Sequence, residues 1–177
     1  MAIREIRLSN DEILRKTSRE VETVDDRIKE LLDDMVESMH KYNGVGLAGP
    51  QVGVLKRVIV IDLYDGEEPL KLVNPKIIKT KGEQEVEEGC LSFPNEYAKM
   101  IRPAEIIVEA LDENGNVWVW GNTYKSTATK LATINNAIDI SPSYVVTQTG
   151  KVYTLEGEKL EIDNILRVSE GTNHALF

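Results

Sequence analysis

The residues best suited to chemistry lie in two short segments, residues 44–51 (GVGLAGPQ) and 88–92 (EGCLS). Glycines in the first segment would let the backbone approach a ligand closely, and the amide of Gln51 could donate to an oxyanion. In the second segment, the thiolate of Cys90 could bind a metal ion. Each segment alone has a plainer interpretation, because glycines are common in turns and a lone cysteine is often a small core residue.

Regular elements are predicted on both sides of these segments. Residues 25–42 carry apolar side chains at helical spacing, and Asn43-Gly44 provides a stop signal. The β-branched run at residues 57–63 (RVIVIDL) predicts a buried strand. Asn74-Pro75 is expected to divide the next strand into pieces at residues 71–73 and 77–78. Residues 105–111 and 117–120 should then form a hairpin around Asn114-Gly115.

The composition changes after Val117, where Ser, Thr and Asn become much more frequent. We therefore divide the chain into residues 1–117 and a divergent β-rich segment at residues 118–177. Within the second part, residues 144–147, 151–155 and 159–162 are strand candidates separated by turn signals, which favours a β-meander. Residues 131–140 fit a short helix or a strand equally well.

The two chemical segments occur in the order and at the spacing of peptide deformylases, which residues 1–117 resemble. The flanking sequence agrees, since RVIVID follows the first motif and RPAEIIVEALDENG follows the second. Gly49 is a small departure, because the family usually has alanine there. The resemblance implies an α+β fold of deformylase-like sheets with one long N-terminal helix. The divergent β-rich C-terminal segment would replace the family's metal-binding helix.

The resemblance also implies a set of functional residues. Deformylases are metal hydrolases, using Fe²⁺, Ni²⁺ or Zn²⁺, that remove the formyl group from the N-formylmethionine of nascent polypeptides. By the family's pattern, Cys90 would be a metal ligand, and Gln51 with the backbone N–H of Leu91 would stabilise the oxyanion. Val45 and Gly46 would pair with the backbone of an N-formylated nascent peptide.

One family motif is missing from the sequence. Deformylases carry HExxH on a helix, where two histidines bind the metal and the glutamate is the general base. Here the only histidines are His40 and His174, 134 positions apart. We expect His40 to be structural or exposed, and His174 is a weak candidate for a metal ligand.

Three hypotheses follow from the missing motif. In the first, the chain is an active deformylase whose metal site is completed by residues 118–177 or by a second chain. In the second, it is a catalytically inactive deformylase-like protein that binds peptides or is purely structural. In the third, residues 118–177 are a foreign segment attached by recombination or a frameshift to a truncated enzyme.

Charge and composition exclude other classes of function. The net charge of −9 and the pI of about 4.8 disfavour binding to nucleic acid, because an acidic surface repels phosphates. No apolar run approaches the roughly 20 residues that span a bilayer, so no membrane association is expected. The sequence shows no signal peptide and one cysteine, Cys90. These features predict a cytoplasmic protein.

Overall fold

A computed structural model describes residues 2–121, 125–130, 137–140, 144–147, 149–154, 158–162, 164–165, 169–170 and 175–176. Within these ranges the chain forms one α-helix, α1 (Asp26–Lys41), and short 3-10 helices at Glu12–Arg15 and Gly49–Val52. The strands are β1 (Gly46–Ala48), β2 (Val58–Ile61), β3 (Leu70–Lys81), β4 (Gln84–Cys90), β5 (Phe93–Arg102), β6 (Glu105–Leu111), β7 (Val117–Gly121), β8 (Lys125–Lys130), β9 (Ala137–Ile140), β10 (Tyr144–Thr147), β11 (Val152–Thr154), β12 (Ser169–Glu170) and β13 (Ala175–Leu176). The predicted α+β class is therefore confirmed.

The chain divides into two compact units. The first contains Met1–Pro75 and Lys81–Ala104, and the second contains Lys76–Thr80 and Glu105–Phe177. Both chemical segments lie in the first unit. None of the described helices is long and apolar enough to cross a membrane.

Helix α1 forms the centre of the first unit's core, as its periodicity predicts. Asp25 caps the helix, because its side chain accepts a hydrogen bond from the Ile28 backbone N–H. The helical stripe is buried through Ile28, Leu31, Leu32, Met35 and Met39. Two polar side chains on the helix, those of Asp34 and Ser38, are also buried. The Arg4 guanidinium lies 2.8 Å from the Asp34 carboxylate and neutralises its charge.

Strand β1 is the first strand of a six-stranded sheet ordered β1-β2-β3-β6-β7-β8. It pairs antiparallel with β2, with Gly46 opposite Ile61 and Ala48 opposite Ile59. Val58 and Val60 of β2 are buried, which confirms the strand predicted from the β-branched run. Because β1 is at the end of this order, its outer edge has no strand partner among the described residues.

The prediction that Asn74-Pro75 breaks the third strand is wrong, because β3 continues through both residues. Asn74 adopts a left-handed backbone conformation with φ of 52°. Its side-chain amide accepts from the Val21 N–H at 2.8 Å and donates to the Val21 carbonyl at 2.9 Å. These bonds stabilise the left-handed conformation of Asn74, and the strand continues on both sides of it.

Strands β4 and β5 form a long antiparallel hairpin in the first unit, with Gln84 opposite Arg102. Every side chain of β5 is exposed. The register shifts between Gly89 and Cys90, just before the turn. The hairpin therefore holds Cys90 without a buried core of its own.

The second unit contains the predicted hairpin of β6 and β7, which turns at Gly115 with φ of 76°. Strands β9, β10 and β11 form an antiparallel three-stranded sheet, in which β10 and β11 correspond to two of the three strands predicted for the meander. Of residues 131–140, the described part is the strand Ala137–Ile140. The strand expected at residues 159–162 is not formed, because only Lys159 makes an isolated bridge, to Tyr153. The Glu156-Gly157 turn signal lies outside the described residues.

Candidate functional site

The outer edge of β1 presents backbone groups that are available for pairing. The Asp62 N–H donates to the Val45 carbonyl at 3.0 Å, so that carbonyl faces β2. Backbone groups of successive strand residues face opposite edges, and the N–H and C=O of Gly46 therefore point away from β2. The Val45 side chain is 59% exposed beside them. This edge can accept one further extended chain.

Gln51 lies next to this edge, in the 3-10 helix that follows β1. Its Oε1 accepts from the Ala48 backbone N–H at 3.0 Å, which fixes the orientation of the side-chain amide. The Nε2 then donates towards Cys90 Sγ at 3.6 Å and to Ser92 Oγ at 3.3 Å. The fold thus brings together an amide donor and a thiol that are 39 positions apart in the sequence.

Leu91 connects the two chemical segments by direct packing. A Cβ added to Gly44 would lie 2.7 Å from Leu91 Cδ1, which is closer than real Cβ contacts. Gly44 is buried, and Cys90 beside Leu91 is exposed. Leu91 thus packs so closely on Gly44 that a larger residue at position 44 would displace the Leu91 side chain.

The acidic residues before Cys90 are partly neutralised. Arg102 donates to both carboxylate oxygens of Glu88, at 2.9 Å and 2.6 Å. These hydrogen bonds hold the pKa of the Glu88 carboxyl below its ordinary value and raise the pKa of Arg102. The negative charge nearest to Cys90 in the sequence is thus paired with a guanidinium.

The described side chains around Cys90 do not provide the ligands that a divalent metal ion needs. A hydrolytic site needs about three protein ligands and one open position. In the part of the chain that the structure describes, no group of three or more His, Cys, Asp or Glu side chains could hold a metal ion. The group that bonds to Cys90 Sγ in the described part of the chain is the neutral amide of Gln51, which does not fit this role. His174, the other candidate ligand, lies outside the described residues.

Sequence reasoning did not single out Ser92, although it belongs to the EGCLS segment. Ser92 is 2% exposed, and its hydroxyl is a hydrogen-bond partner of Gln51. The available signal was its position two residues after Cys90, at the turn that leads into β5. No sequence pattern indicated that Asp62 and Tyr64 contact the first segment, because those bonds join residues that lie far apart in the chain.

Comparison with known proteins finds matches over most of the chain. The family model described as polypeptide deformylase matches residues 3–129. Peptide deformylase 2 of Clostridium acetobutylicum is 60% identical over 116 residues, which cover 65% of this chain and 76% of that protein. A peptide deformylase of Finegoldia magna is 51% identical over 128 residues, covering 71% of this chain and 79% of that protein.

Solved structures give the same answer. A peptide deformylase from Legionella pneumophila matches with a TM-score of 0.66 and 43% identity, over 68% of this chain and 72% of that one. The peptide deformylase from Thermotoga maritima matches with a TM-score of 0.65 and 34% identity, over 68% of this chain and 82% of that one.

The fold defines the class of the molecule as an α+β protein whose solved neighbours are peptide deformylases. The match over residues 3–129 makes the family specific. The chain belongs to the peptide deformylase family.

Proposed function

We propose that this chain recognises the N-formylmethionyl end of nascent polypeptides, the substrate class on which deformylases act. The observation that carries this proposal is the free outer edge of β1, which ends beside the amide of Gln51. A peptide paired with Gly46 would extend the sheet by one strand, and main-chain hydrogen bonds of this kind provide affinity without sequence specificity. That property suits an enzyme family whose substrates share only their first residue.

The proposed roles of the site residues follow from their positions. The Gln51 amide and the backbone N–H of Leu91 would donate to the formyl oxygen as negative charge develops there. Gly46 would hold the peptide backbone, and the exposed Val45 side chain would contact its flank. Within the family, Cys90 would ligate a divalent metal, Fe²⁺, Ni²⁺ or Zn²⁺, whose chemistry is to supply hydroxide. The described residues contain no group of three possible ligands that would complete such a site.

Removal of the formyl group is tested by formate release from formyl-Met-Ala-Ser. The protein is loaded with Ni²⁺ or Fe²⁺ without oxygen, and Cys90→Ala is the comparison variant. Without HExxH, we expect turnover far below that of the Clostridium acetobutylicum relative assayed in parallel. Rapid turnover that Cys90→Ala abolishes would contradict this expectation, and would mean that other residues complete the metal site.

Binding without hydrolysis is the second candidate function, and the absence of HExxH from the whole sequence favours it. Calorimetry with formyl-Met-Ala-Ser measures it directly. Gly46→Pro should abolish binding because proline has no N–H to pair with the peptide. Gly46→Ala is the matched control, since its Cβ would lie 3.7 Å from the nearest atom and the N–H is kept. Equal affinities of the two folded variants would exclude pairing along this edge.

A further inference from the structure

Three side chains outside the two chemical segments form a connected cluster, which we call the His40 cluster: His40, Asp62 and Tyr64. His40 Nε2 lies 2.7 Å from Asp62 Oδ2. The other carboxylate oxygen of Asp62 accepts from the Tyr64 backbone N–H at 2.7 Å. The rings of His40 and Tyr64 are also in contact, with centroids 5.6 Å apart. The cluster therefore joins the end of α1 to the chain after β2.

The His40 cluster bonds to the backbone immediately before Gly46. Tyr64 Oη donates to the Gly44 carbonyl at 2.9 Å, and the Asp62 N–H donates to the Val45 carbonyl at 3.0 Å. On the other side, the Gly44 N–H donates to the Met39 carbonyl at 2.9 Å. The Tyr64 side chain thus fixes the Gly44 carbonyl and the Asp62 backbone fixes the next one, so residues of the cluster define the direction in which the chain enters β1.

Tyr64 adopts an unusual conformation in this arrangement. Its φ of 55° lies in the left-handed region, which is uncommon for a residue with a bulky side chain. Such a conformation persists only where surrounding bonds enforce it, and it is often found at functional sites. The bond from the Tyr64 N–H holds the pKa of Asp62 below its ordinary value, so the carboxylate stays ionised as the acceptor that maintains this conformation.

We propose that His40, Asp62 and Tyr64 form a positioning cluster that fixes the Gly44 and Val45 carbonyls and so sets the register in which β1 receives a peptide. This inference rests on the proposed function, because peptide pairing along β1 is itself proposed. None of the three residues needs to touch the formyl group. Their effect should therefore grow with the length of peptide that pairs beyond the first residue.

The first test compares ligands of two lengths. Tyr64→Phe keeps the ring and removes the hydroxyl that donates to Gly44, and Tyr42→Phe is the control at an exposed tyrosine just after α1. A neutral hydrogen bond contributes roughly 0.5–1.5 kcal/mol, which corresponds to about a 2- to 13-fold change in affinity. We expect Tyr64→Phe to weaken binding of formyl-Met-Ala-Ser within that range and to leave formylmethionine amide within about twofold. An equal loss for both ligands, or no loss, overturns the inference.

The second test examines the free protein. Hydrogen exchange of the Asp62 backbone N–H reports directly on its bond to Val45. We expect this exchange to be several-fold faster in Tyr64→Phe and in His40→Ala, and unchanged in Tyr42→Phe. Unchanged exchange in both cluster variants would show that the cluster does not hold the segment.

The two tests separate the inference from the function on which it rests. If the unmodified protein binds neither ligand, the proposed function fails and the role in peptide register fails with it. If the protein binds both ligands but Tyr64→Phe does not change their affinity ratio, only the positioning role fails.

Discussion

The two segments that carry the site are held in place by different means, although both lie in the first unit. Residues 44–51 follow closely on helix α1, where the Gly44 N–H donates to the Met39 carbonyl. The Gly44 and Val45 carbonyls accept hydrogen bonds from Tyr64 Oη and the Asp62 N–H. Residues 88–92 lie at the turn of a hairpin whose second strand is exposed at every position. The edge of β1 thus belongs to a packed core, whereas Cys90 lies on an exposed hairpin.

This difference indicates which contacts hold each segment of the site in its conformation. The first segment is held by helix α1 and by hydrogen bonds to residues that all lie in the first unit. The second segment depends on its contacts with the first: the Gln51 amide, which donates to Cys90 and Ser92, and the close approach of Leu91 to Gly44. Changes in the core should therefore disturb both segments, while changes in the hairpin should leave the β1 edge intact.

The largest expected effect comes from a cavity in the core around α1. Leu32 of α1 is fully buried, so Leu32→Ala should lower the free energy of unfolding by about 2–5 kcal/mol. Ile101 on β5 is 70% exposed, and Ile101→Ala should change that energy by less than about 0.5 kcal/mol. Urea unfolding followed by circular dichroism measures both. Similar losses would mean that the hairpin is as well packed as the helix.

A smaller effect should follow from disturbing the contact between the segments. Gly44→Ala would place a Cβ against Leu91, and overpacking of this kind costs about 1–3 kcal/mol. Leu91→Ala in the same chain should restore most of the loss, because it removes the clashing atom. A double-mutant cycle by urea unfolding gives this coupling. Purely additive losses would show that Gly44 and Leu91 do not constrain each other.

The smallest effect concerns the exposed ion pair on the hairpin. Because Arg102 lowers the pKa of Glu88, the pair stabilises the folded hairpin at neutral pH, and this contribution is lost as the pH falls through the lowered pKa of Glu88. Glu88→Gln should therefore reduce protection of β4 and β5 amides a few-fold at pH 7 and by less at pH 3. Glu96→Gln, on the same hairpin, is the control. A loss of equal size at both pH values would exclude the ion pair as its cause.

Much of the fold was predictable because it depends on local periodicity. The helical stripe of residues 25–42, the run at 57–63 and the hairpin at 105–120 all appear with ends shifted by only a few residues. The predicted strand break at Asn74-Pro75 was wrong because the Asn74 side chain forms hydrogen bonds with the backbone of Val21, which is distant in the sequence. Composition and turn rules describe neighbours in sequence and do not report such partners.

For the candidate site, the sequence predicted two of the residues that lie in contact, but it did not predict the residues that hold them in position. Gln51 and Cys90 were selected from their motifs, and the structure places them in contact. Ser92 and the cluster of His40, Asp62 and Tyr64 were not selected, since each acts through a bond to a residue elsewhere in the chain. His40 was expected to be structural or exposed, and it is a partly exposed partner of Asp62.

The sequence by itself determined the α+β class, the long helix, most strands and the membership of the peptide deformylase family. It also determined that HExxH is absent, because the presence of a motif depends only on the order of the residues. Only the tertiary structure decided that Gly46 lies on an edge with no strand partner among the described residues, that Gln51 directs its amide towards Cys90, and that Leu91 packs closely on Gly44. Strand register and close packing set the directions and distances of these groups, and neither quantity is encoded by residue type alone.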